Sequence, residues 1–358
     1  FQPAGTGESP LANLPEWVNF EKNGRKLRRE TNTMPQWAGS SWYYLRFADP
    51  ANTGRFAAAE KEKYWLNGGV DLYVGGAEHA VLHLLYARFW HKVLYDLGYV
   101  SSIEPFKKLV HQGIILGEDG SKMSKSRGNV VNPDTVVAEY GADTFRLYEM
   151  FMGPLEQMKP WSSKSIEGIY RFLARVYRLY FGNTNSDENA GSAPKLNDKL
   201  LAQPADEKAV LKVLHQTIKK VSDDIETLSL NTAISQMMVF TNEMTKLDQR
   251  PRGLLEPFVL LLLPFAPHLS EELWERLGHA PSAGQQPWPE FDPALVVSDR
   301  LTIPVQVNGK LRGKLEVDAG ALREQLEPLA RKEVAEWLQG KEPKKVIYVE
   351  KKLINFVV

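Results

Sequence analysis

The chain has 358 residues, of which 43% are hydrophobic and 25% are charged, and its 44 lysines and arginines balance 44 aspartates and glutamates. This length suffices for two or three domains with substantial cores, and the composition excludes wholesale disorder and collagen-like repeats. No apolar run approaches the roughly 20 residues that cross a bilayer, and the absence of cysteine excludes disulfides, thiolate metal sites and cysteine nucleophiles.

Residues 1–36 are poor in large apolar side chains and rich in glycine, proline and charge, so we expect an irregular arm. From residue 37 to 152, short apolar runs alternate with helical periodicity, which is typical of an α/β domain. We expect Trp42, Phe89 and Trp90 in its core, because their neighbours are apolar. The predicted elements are a strand over 71–74, a turn at 75–76, an interior helix over 80–97, a strand over 108–116 and a helix that begins after residue 132.

From residue 153 to 280 the pattern becomes purely helical and predicts a bundle, with one apolar stripe running through residues 166–180. The other predicted elements are a polar loop over 183–198 and helices over 206–228, 232–247, 254–263 and 268–277. A segment rich in proline, glycine and glutamine indicates a linker at residues 281–298.

The last segment, residues 299–358, predicts a small α+β domain. Asn308-Gly309 stands between two apolar runs, and this dipeptide is a strong signal for a two-residue hairpin turn. A helix over 321–340 and closing strands over 346–349 and 353–358 complete the predicted elements.

The most specific motif is a cationic loop, Lys122-Met123-Ser124-Lys125-Ser126, with glycines on both sides. Two ammonium groups three residues apart can bind phosphoryl oxygens, while serine hydroxyls and loop amides donate hydrogen bonds to them. For an arbitrary stretch of this composition, a solvated surface loop is the commoner explanation. The complete five-residue string favours polyphosphate binding.

A second constellation comes directly after the strand predicted over 71–74. Gly75 and Gly76 lead into a predicted helix, and this is a usual nucleotide site because small residues permit close approach and the helix end presents free amides. Glu78 can accept two hydrogen bonds from a ribose diol, or it can be a carboxylate stabilised by the helix dipole. His79 and His83 share a helix face, which leaves a metal site and a pair of core histidines as alternatives.

The loop of residues 122–126 resembles the signature loop of class I aminoacyl-tRNA synthetases. The segments that resemble bacterial leucyl-tRNA synthetases in particular are 40–46 (SSWYYLR), 73–86 (YVGGAEHAVLHLLY), 141–147 (GADTFRL), 305–310 (VQVNGK) and 346–349 (VIYV). The resemblance covers nearly the whole chain. It implies the second half of a Rossmann-like catalytic domain (α/β), then an all-α helical bundle and a small α+β C-terminal domain.

The resemblance implies a cytoplasmic enzyme that activates leucine with ATP and transfers it to tRNA(Leu), with Mg²⁺ carried by the ATP. Lys122 and Lys125 would stabilise charge on the reacting phosphates. The residues implied to contact ATP or the adenylate are Gly75, Gly76, Glu78, His79, Gln112, Gly113, Met123, Ser124 and Ser126. Those implied to contact leucine are Tyr43, Tyr73, His79 and His83. For Gln112, a structural role at a strand end is nearly as good an explanation.

Two rows of basic residues could contact tRNA. They are Arg171, Arg175 and Arg178 on a predicted helix, and Lys310, Arg312 and Lys314 on a predicted strand. Each row is predicted to lie on one face of its element. Solvated surfaces explain such rows in most proteins, whereas the resemblance implies contact with the tRNA backbone.

The sequence also departs from the family pattern. It contains neither the His-x-Gly-His motif of the first catalytic half nor an editing module, so the resemblance implies an N-terminal half that supplies both, in cis or in trans. Residues 19–31 lack the cysteine pairs that some relatives carry there, so we expect no zinc or other resident metal, and no membrane partner. The alternatives are a non-catalytic tRNA-binding fragment or paralogue, and an isoleucyl or valyl enzyme.

Overall fold

The structure is a computed structural model that describes residue 5 and residues 7–32, 37–182, 195–201, 208–280, 282–296, 300–318, 321–350 and 352–358. It divides into two compact units. Unit 1 comprises Phe1–Thr135 and Met152–Ser163, and unit 2 comprises Val136–Phe151 and Lys164–Val358. The domain limits expected from the sequence stay predictions. In the described part of the chain, each helix is too short or too polar to cross a membrane.

Unit 1 combines short helices with two pairs of parallel strands. Its helices are α1 (Pro15–Val18), α2 (Tyr43–Phe47), α3 (Ala59–Trp65) and α4 (His83–Asp96). Its strands are β1 (Asn19–Lys22), β2 (Arg25–Arg28), β3 (Tyr73–Gly76), β4 (Leu109–Gln112), β5 (Ile115–Leu116) and β6 (Lys159–Pro160). β3 pairs in parallel with β4, and β5 pairs in parallel with β6. The chain therefore has the α/β character that the sequence predicts for this region.

The arm expected to be irregular contains an antiparallel hairpin of β1 and β2. Asn23 and Gly24 connect the strands with φ angles of 54° and 72°. Two consecutive positive φ angles define the type I′ turn, whose twist matches that of the flanking strands. The expectation of an irregular arm was wrong because five of the eight strand residues are charged and each strand has only one apolar residue, so no apolar alternation marked them.

The interior helix predicted over 80–97 differs in two respects. α4 begins only at His83, after a 3₁₀ turn over Ala77–Val81, because Leu82 has a non-helical backbone (φ −118°, ψ −102°). α4 also buries only one stripe, formed by His83, Ala87 and His91. Other apolar side chains of the helix are only partly buried, and Leu85, Phe89 and Tyr95 are exposed.

The core placement of two aromatic residues was therefore wrong. Phe89 is 62% exposed and Trp42 is 40% exposed, while Trp90 is half-buried. Trp42 and Trp90 line an apolar hollow of about 520 Å³ beside α4. The sequence showed that these residues are apolar but not which of their faces this chain covers.

Unit 2 contains a helical bundle. Its helices are α5 (Pro133–Tyr140, which begins at the edge of unit 1), α6 (Ala142–Phe151), α7 (Ser163–Tyr180), α8 (Lys208–Glu226), α9 (Leu230–Lys246), α10 (Arg252–Leu262), α11 (Pro267–Arg276) and α12 (Pro293–Val296), with short strands β7 (Leu200–Leu201) and β8 (Arg250–Pro251). The predicted helices agree with these bounds to within a helical turn. Residues 183–194 and 206–207, which belong to a predicted loop and a predicted helix start, lie outside the described residues.

Helix α6 explains the sequence GADTFRL in structural terms. The buried carboxylate of Asp143 accepts hydrogen bonds from the backbone N–H groups of His268 and Leu269, at the first turn of α11. One turn later, Arg146 donates to the carbonyls of Pro264 and Phe265, just after α10. Helix ends leave backbone N–H and C=O groups without hydrogen-bond partners. At the α10–α11 junction, side chains of α6 bond to carbonyls that follow α10 and to N–H groups at the start of α11.

The segment predicted to be a linker is fixed to the bundle helices where the structure describes it. Ala283 N–H donates to the Glu271 carboxylate on α11. Trp288 Nε1 donates to Ser222 Oγ on α8 at 2.8 Å, and Asp292 N–H donates to Nδ1 of His215 at 2.9 Å. These bonds make the segment part of the bundle surface.

The last part of unit 2 forms the small α+β domain that the sequence predicts. Strands β9 (Arg300–Val307), β10 (Lys310–Asp318), β11 (Lys345–Val349) and β12 (Leu353–Val357) lie in the order β10-β9-β12-β11, accompanied by α13 (Arg323–Glu333) and α14 (Ala335–Leu338). Asn308 and Gly309 have φ angles of 50° and 77°, so the predicted hairpin turn is confirmed. The two helices replace the single helix predicted over 321–340.

Candidate active site

A pocket of about 310 Å³ opens where the parallel strands β3 and β4 end. The last residues of the two strands, Gly76 and Gln112, are register partners and both line it. Parallel strands place their carboxyl ends at one sheet edge, which is the usual ligand position in α/β folds. We call it the strand-end pocket. The predicted site residues that line it are Tyr43, Tyr73, Gly75, Gly76, His79, His83 and Gln112.

Three of these side chains form a hydrogen-bonded chain across the pocket. The hydroxyl oxygens of Tyr43 and Tyr73 are 2.6 Å apart, and the Tyr73 hydroxyl is 2.6 Å from Nε2 of His83. The Tyr73 ring stacks on Phe106 with a centroid separation of 3.9 Å, which fixes its orientation. When Nε2 accepts the Tyr73 proton, the Tyr73 oxygen accepts from Tyr43, so each internal bond is satisfied.

The pocket keeps two of these groups, Tyr73 and His83, uncharged. Burial lowers the pKa of His83, and the neighbouring His79 contributes further. Burial also raises the pKa of Tyr73 well above its ordinary value, with a further contribution from its hydrogen bond with Tyr43. At neutral pH His83 is therefore a neutral imidazole and Tyr73 a protonated phenol.

His79 differs from His83 because its Nδ1 is buried and has no hydrogen-bond partner among the described residues. Its ring stands edge-on to Trp37 with centroids 5.4 Å apart. A buried polar atom without a partner is uncommon, so Nδ1 is a candidate contact for a ligand in the pocket. The two histidines therefore have different environments. Within the described residues, no group of three His, Asp or Glu side chains is arranged to hold a metal ion.

Glu78 does not line the pocket, but its carboxylate folds back over Gly76, which does. A Cβ atom at Gly76 would collide with that carboxylate. The missing side chain of Gly76 therefore lets Glu78 reach the edge of the pocket. Glu78 lies in the 3₁₀ turn over Ala77–Val81 and not at the start of the long helix α4. The alternative in which the dipole of a long helix stabilises its carboxylate therefore does not apply.

Behind the pocket, a buried network holds the short helix α2, which carries Tyr43. Nε2 of His91 lies 2.9 Å from the carbonyl oxygen of Ser102, so this nitrogen carries the proton and donates. Nδ1 of His91 then accepts from the hydroxyl of Tyr44 at 2.9 Å. Burial is the main cause that lowers the pKa of His91, which keeps the imidazole neutral.

Gln112 and Gly113 were predicted together, and the structure separates them. Gln112 lines the pocket, whereas Gly113 does not. Gly113 N–H donates to the carbonyl of Leu155 at 2.7 Å, and a Cβ atom there would collide with the carbonyl group of Gln157. This close backbone approach also ends β4 and explains why the predicted strand over 108–116 is two strands.

The cationic loop projects from the end of β5. We call residues 117–129 the signature loop; Leu116 and Lys122 form an antiparallel bridge across its base. Lys122 and Lys125 are both exposed, and neither forms an ion pair with any described residue. A 3₁₀ turn over Lys125–Arg127 ends at Gly128, which has a φ of 67°. None of the predicted loop residues, including Met123, Ser124 and Ser126, lines the strand-end pocket in this structure.

Sequence reasoning missed further lining residues of the strand-end pocket. They are Trp37, Ser40, Val74, Leu84 and Leu109. Ser40 begins the motif of residues 40–46, and Leu109 is the register partner of Tyr73, so spacing and strand pairing carried some signal. No pattern marked Trp37, which reaches the pocket through the tertiary fold.

The predicted basic row on α7 is uneven. Arg171 and Arg178 are exposed, and Arg171 pairs with Glu167 at 2.9 Å. Arg175 is half-buried and donates to Asn242 Oδ1 on α9 at 3.2 Å. Two of the three guanidinium groups therefore present their charge to solvent.

The predicted single face for the basic row on β10 was wrong. The pairing with β9 shifts between Leu311 and Gly313, so Arg312 is the extra residue of a β-bulge. Lys310 pairs with Val307 and Lys314 with Pro304, which places the two lysines on opposite faces. The Arg312 guanidinium lies 3.8 Å from the centroid of the Trp337 ring.

Two family models match the chain. The model for class I tRNA synthetases (I, L, M and V) matches residues 17–159. The model for the anticodon-binding domain of tRNA ligase matches residues 207–327. These ranges cover the strand-end pocket with the signature loop, and most of the helical bundle.

Curated relatives align along the entire chain. A leucine–tRNA ligase of Chloroherpeton thalassium is 56% identical over 360 residues, and one of Leptospira biflexa serovar Patoc is 54% identical over 367 residues. The chain spans 43% and 40% of the length of these relatives, respectively. A solved ternary complex of a LeuRS of Agrobacterium radiobacter K84 with tRNA and LeuAMS matches with a TM-score of 0.68 at 32% identity, covering 97% of this chain and 46% of that one.

Proposed function

Because this chain belongs to the leucine–tRNA ligases among the class I tRNA synthetases, we propose that it supplies part of a cytoplasmic enzyme that charges tRNA(Leu) with leucine. In the first step, a carboxylate oxygen of leucine attacks the α-phosphorus of ATP and pyrophosphate leaves. In the second step, a terminal ribose hydroxyl of the tRNA attacks the carbonyl carbon and AMP leaves. No side chain forms a covalent bond in either step.

The observation that carries this proposal is that seven of the residues predicted to contact leucine or ATP line one pocket. Val74, Leu84 and Leu109 offer apolar surface for an isobutyl side chain, and a volume of about 310 Å³ suits a small ligand. The neutral chain that ends at His83 supplies polar contacts without a charge that would disfavour an apolar side chain. Open space at Gly75, where nothing lies within 4 Å of a hypothetical Cβ, leaves room for a nucleotide to approach the backbone.

The signature loop would serve the phosphates. Lys122 and Lys125 are free of ion pairs with described residues, so their charge is available to the α-phosphate and to the departing pyrophosphate. Stabilisation of charge that develops in the transition state is usually the largest catalytic contribution. The Mg²⁺ that accompanies ATP would be held by the phosphates themselves, as is usual for this ion.

The uncovered face of α4 supports the presence of a further catalytic segment, in cis or in trans. Leu85 and Phe89 are 55% and 62% exposed, and the hollow beside Trp90 is apolar. Monomeric proteins rarely leave large contiguous apolar patches uncovered. We propose that this face packs against the segment that carries the remaining phosphate-binding motif, and that editing comes from a module outside this chain.

The helical bundle and the C-terminal domain would bind tRNA. The anticodon-binding family match over residues 207–327 supports this role for the bundle. Arg171, Arg178, Lys310 and Lys314 are exposed cations that could contact phosphates, each in a salt-dependent manner. Because the bulge separates Lys310 from Lys314, at most one of these two lysines faces a given strand of RNA.

ATP–pyrophosphate exchange tests the proposal. The chain would be assayed alone and mixed with the complementary catalytic portion of the Chloroherpeton thalassium relative. Exchange that depends on both polypeptides and on leucine, but not on isoleucine or valine, is the expected result. Absence of exchange with any complementary portion, while tRNA still binds, would overturn the catalytic role in favour of a non-catalytic tRNA-binding protein.

A further inference from the structure

Asn129, at the end of the signature loop, is outside the five-residue motif, yet its side chain makes several hydrogen bonds to the loop. Its Oδ1 accepts a hydrogen bond from the backbone N–H of Ser124 at 2.9 Å. Its Nδ2 donates to Ser121 Oγ at 2.9 Å, with longer contacts to the Asp119 carboxylate and the Lys122 carbonyl. One amide thus joins the residues before, within and after the cationic motif.

The surrounding loop is built to bring this amide close. A Cβ atom at Gly117 would lie 2.7 Å from Oδ1 of Asp119 and 2.9 Å from Nδ2 of Asn129. Asp119 in turn accepts from the backbone N–H and the hydroxyl of Ser121. These hydrogen bonds, together with the one from Asn129, lower the pKa of Asp119 and keep it a carboxylate. Every group that faces the Asn129 amide has the polarity its atoms require.

We propose that Asn129 is the positioning residue of the signature loop, whose amide holds Lys122 and Lys125 in a single arrangement before the triphosphate binds. This inference rests on the proposed function for its catalytic consequence but not for its structural one. The lysines are exposed and have no ion pair with described residues, so no salt bridge orders them. Ordering must come from the backbone, and Asn129 is the side chain that bonds to the backbone within the cationic motif, at Ser124 N–H, as well as to Ser121 before it. Preorganised charges lose less entropy on binding and reorganise less during the reaction.

Limited proteolysis of the whole chain tests the structural part without requiring activity. Lys122, Lys125 and Arg127 are trypsin sites inside the loop. Asn129→Ala should raise the rate of cleavage within the loop about tenfold. Without the hydrogen bonds of the Asn129 amide, local opening of the loop costs less free energy, so trypsin reaches its sites more often. Asn52→Ala is the matched control: Asn52 makes three hydrogen bonds in another loop of unit 1, to Gly54, Arg55 and Asp49, and should leave signature-loop cleavage unchanged. Unchanged cleavage in Asn129→Ala, or an equal increase at sites throughout the chain, would overturn the proposal.

A charge exchange tests the pairing itself. Asn129→Asp places a second carboxylate beside Asp119, and the repulsion should open the loop further than Asn129→Ala does. Adding Asp119→Asn restores a donor opposite an acceptor and should return cleavage at least halfway to the original rate. A merely space-filling role for Asn129 predicts that the isosteric Asn129→Asp variant behaves like the original chain, and that outcome would contradict the proposal.

The catalytic part is read from exchange kinetics with the complementary segment present. Asn129→Ala should lower kcat about tenfold and leave the KM for leucine unchanged, because the strand-end pocket is intact. A rise in the KM for leucine with unchanged kcat would contradict a positioning role for the loop. If no variant shows exchange although Asn129→Ala loosens the loop, the proposed function fails and the loop assignment stands.

Discussion

In the strand-end pocket, the hydroxyls of Tyr43 and Tyr73 and Nε2 of His83 bond to one another, whereas Lys122 and Lys125 in the signature loop have no such partners among the described residues. The pocket removes charge by burial, which lowers the pKa of His83. The loop keeps charge by exposure and orders only its backbone. Under the proposed function, the pocket binds an apolar side chain and the loop stabilises changing charge, and these two tasks need opposite designs. The comparison predicts that substitutions in the loop affect rate, whereas substitutions in the pocket affect binding and stability.

The largest effect should come from Lys125→Ala. By analogy with the removal of other preorganised charge-stabilising groups, we expect about a 10²–10³-fold loss in the rate of leucine-dependent pyrophosphate exchange. The free energy of unfolding should change by less than about 0.5 kcal/mol, because Lys125 is exposed. Lys63→Ala, which removes an exposed lysine from α3, is the control and should change neither quantity. If both variants lost the same fraction of the exchange rate, Lys125 would have no catalytic role beyond that of any exposed lysine.

The second prediction separates packing from ligand contact at Gly113. A methyl group at this position meets the carbonyl of Gln157, so Gly113→Ala should destabilise the chain by about 1–3 kcal/mol, as overpacking does elsewhere. Urea unfolding measures this change. Gly75→Ala is the matched control, because nothing lies within 4 Å of its hypothetical Cβ; it should leave stability nearly unchanged but weaken nucleotide binding. The opposite pattern would return Gly113 to the role of a ligand contact.

These two glycines show how far the sequence could lead. The strand and the glycine pair pointed to a site at Gly75, although β3 runs over Tyr73–Gly76 and not over the predicted 71–74, and the expected turn at 75–76 is part of the strand. The placement of His79 and His83 in the same site came from the family resemblance. Nothing local distinguishes Gly113 from Gly75, since the collision partner at Gln157 is distant in sequence. The difference between packing and contact arises only from tertiary structure.

The two Asn-Gly turns show the same limit of sequence-based prediction for the fold. Both have the positive φ angles of a type I′ turn. The turn at Asn308 was predictable because apolar residues flank it and pack into the core of the last domain, including Val305 and Val307. The turn at Asn23 has strands exposed from Glu21 to Glu30, so its hairpin depends on the dipeptide without the apolar alternation that normally marks strands.

A third prediction concerns the middle of the hydrogen-bonded chain in the pocket. Tyr73→Phe removes the hydroxyl between Tyr43 and His83 and leaves both without that partner. We expect the KM for leucine to rise about five- to tenfold, with a loss of about 1 kcal/mol in unfolding free energy. Tyr43→Phe is the control, since it removes only the end of the chain and should have the smaller effect. A larger effect on kcat than on KM would contradict the assignment of binding to the pocket.

The smallest expected effect is a pH dependence of stability that separates the buried histidines from the exposed carboxylates. Burial lowers the pKa values of His83 and His91 below their ordinary value of about 6.5, so the unfolded chain takes up protons first as the pH falls. The free energy of unfolding should therefore decline as the pH falls below about 6.5. Glu104 titrates at lower pH, because hydrogen bonds from Arg88 and Lys92 lower its pKa to about 2.

Urea midpoints between pH 8 and 5 measure this decline, and His91→Gln should make it shallower because one of the two buried imidazoles no longer titrates. Tyr44→Phe is the matched comparison: it removes the hydroxyl that bonds to Nδ1 of His91 but leaves the imidazole buried. It should lower stability at every pH while keeping most of the acid-side slope. An unchanged slope in His91→Gln would mean that His91 takes up its proton equally readily in the folded and the unfolded chain, so that burial does not lower its pKa. The conclusion that burial keeps the network behind α2 uncharged would then be wrong.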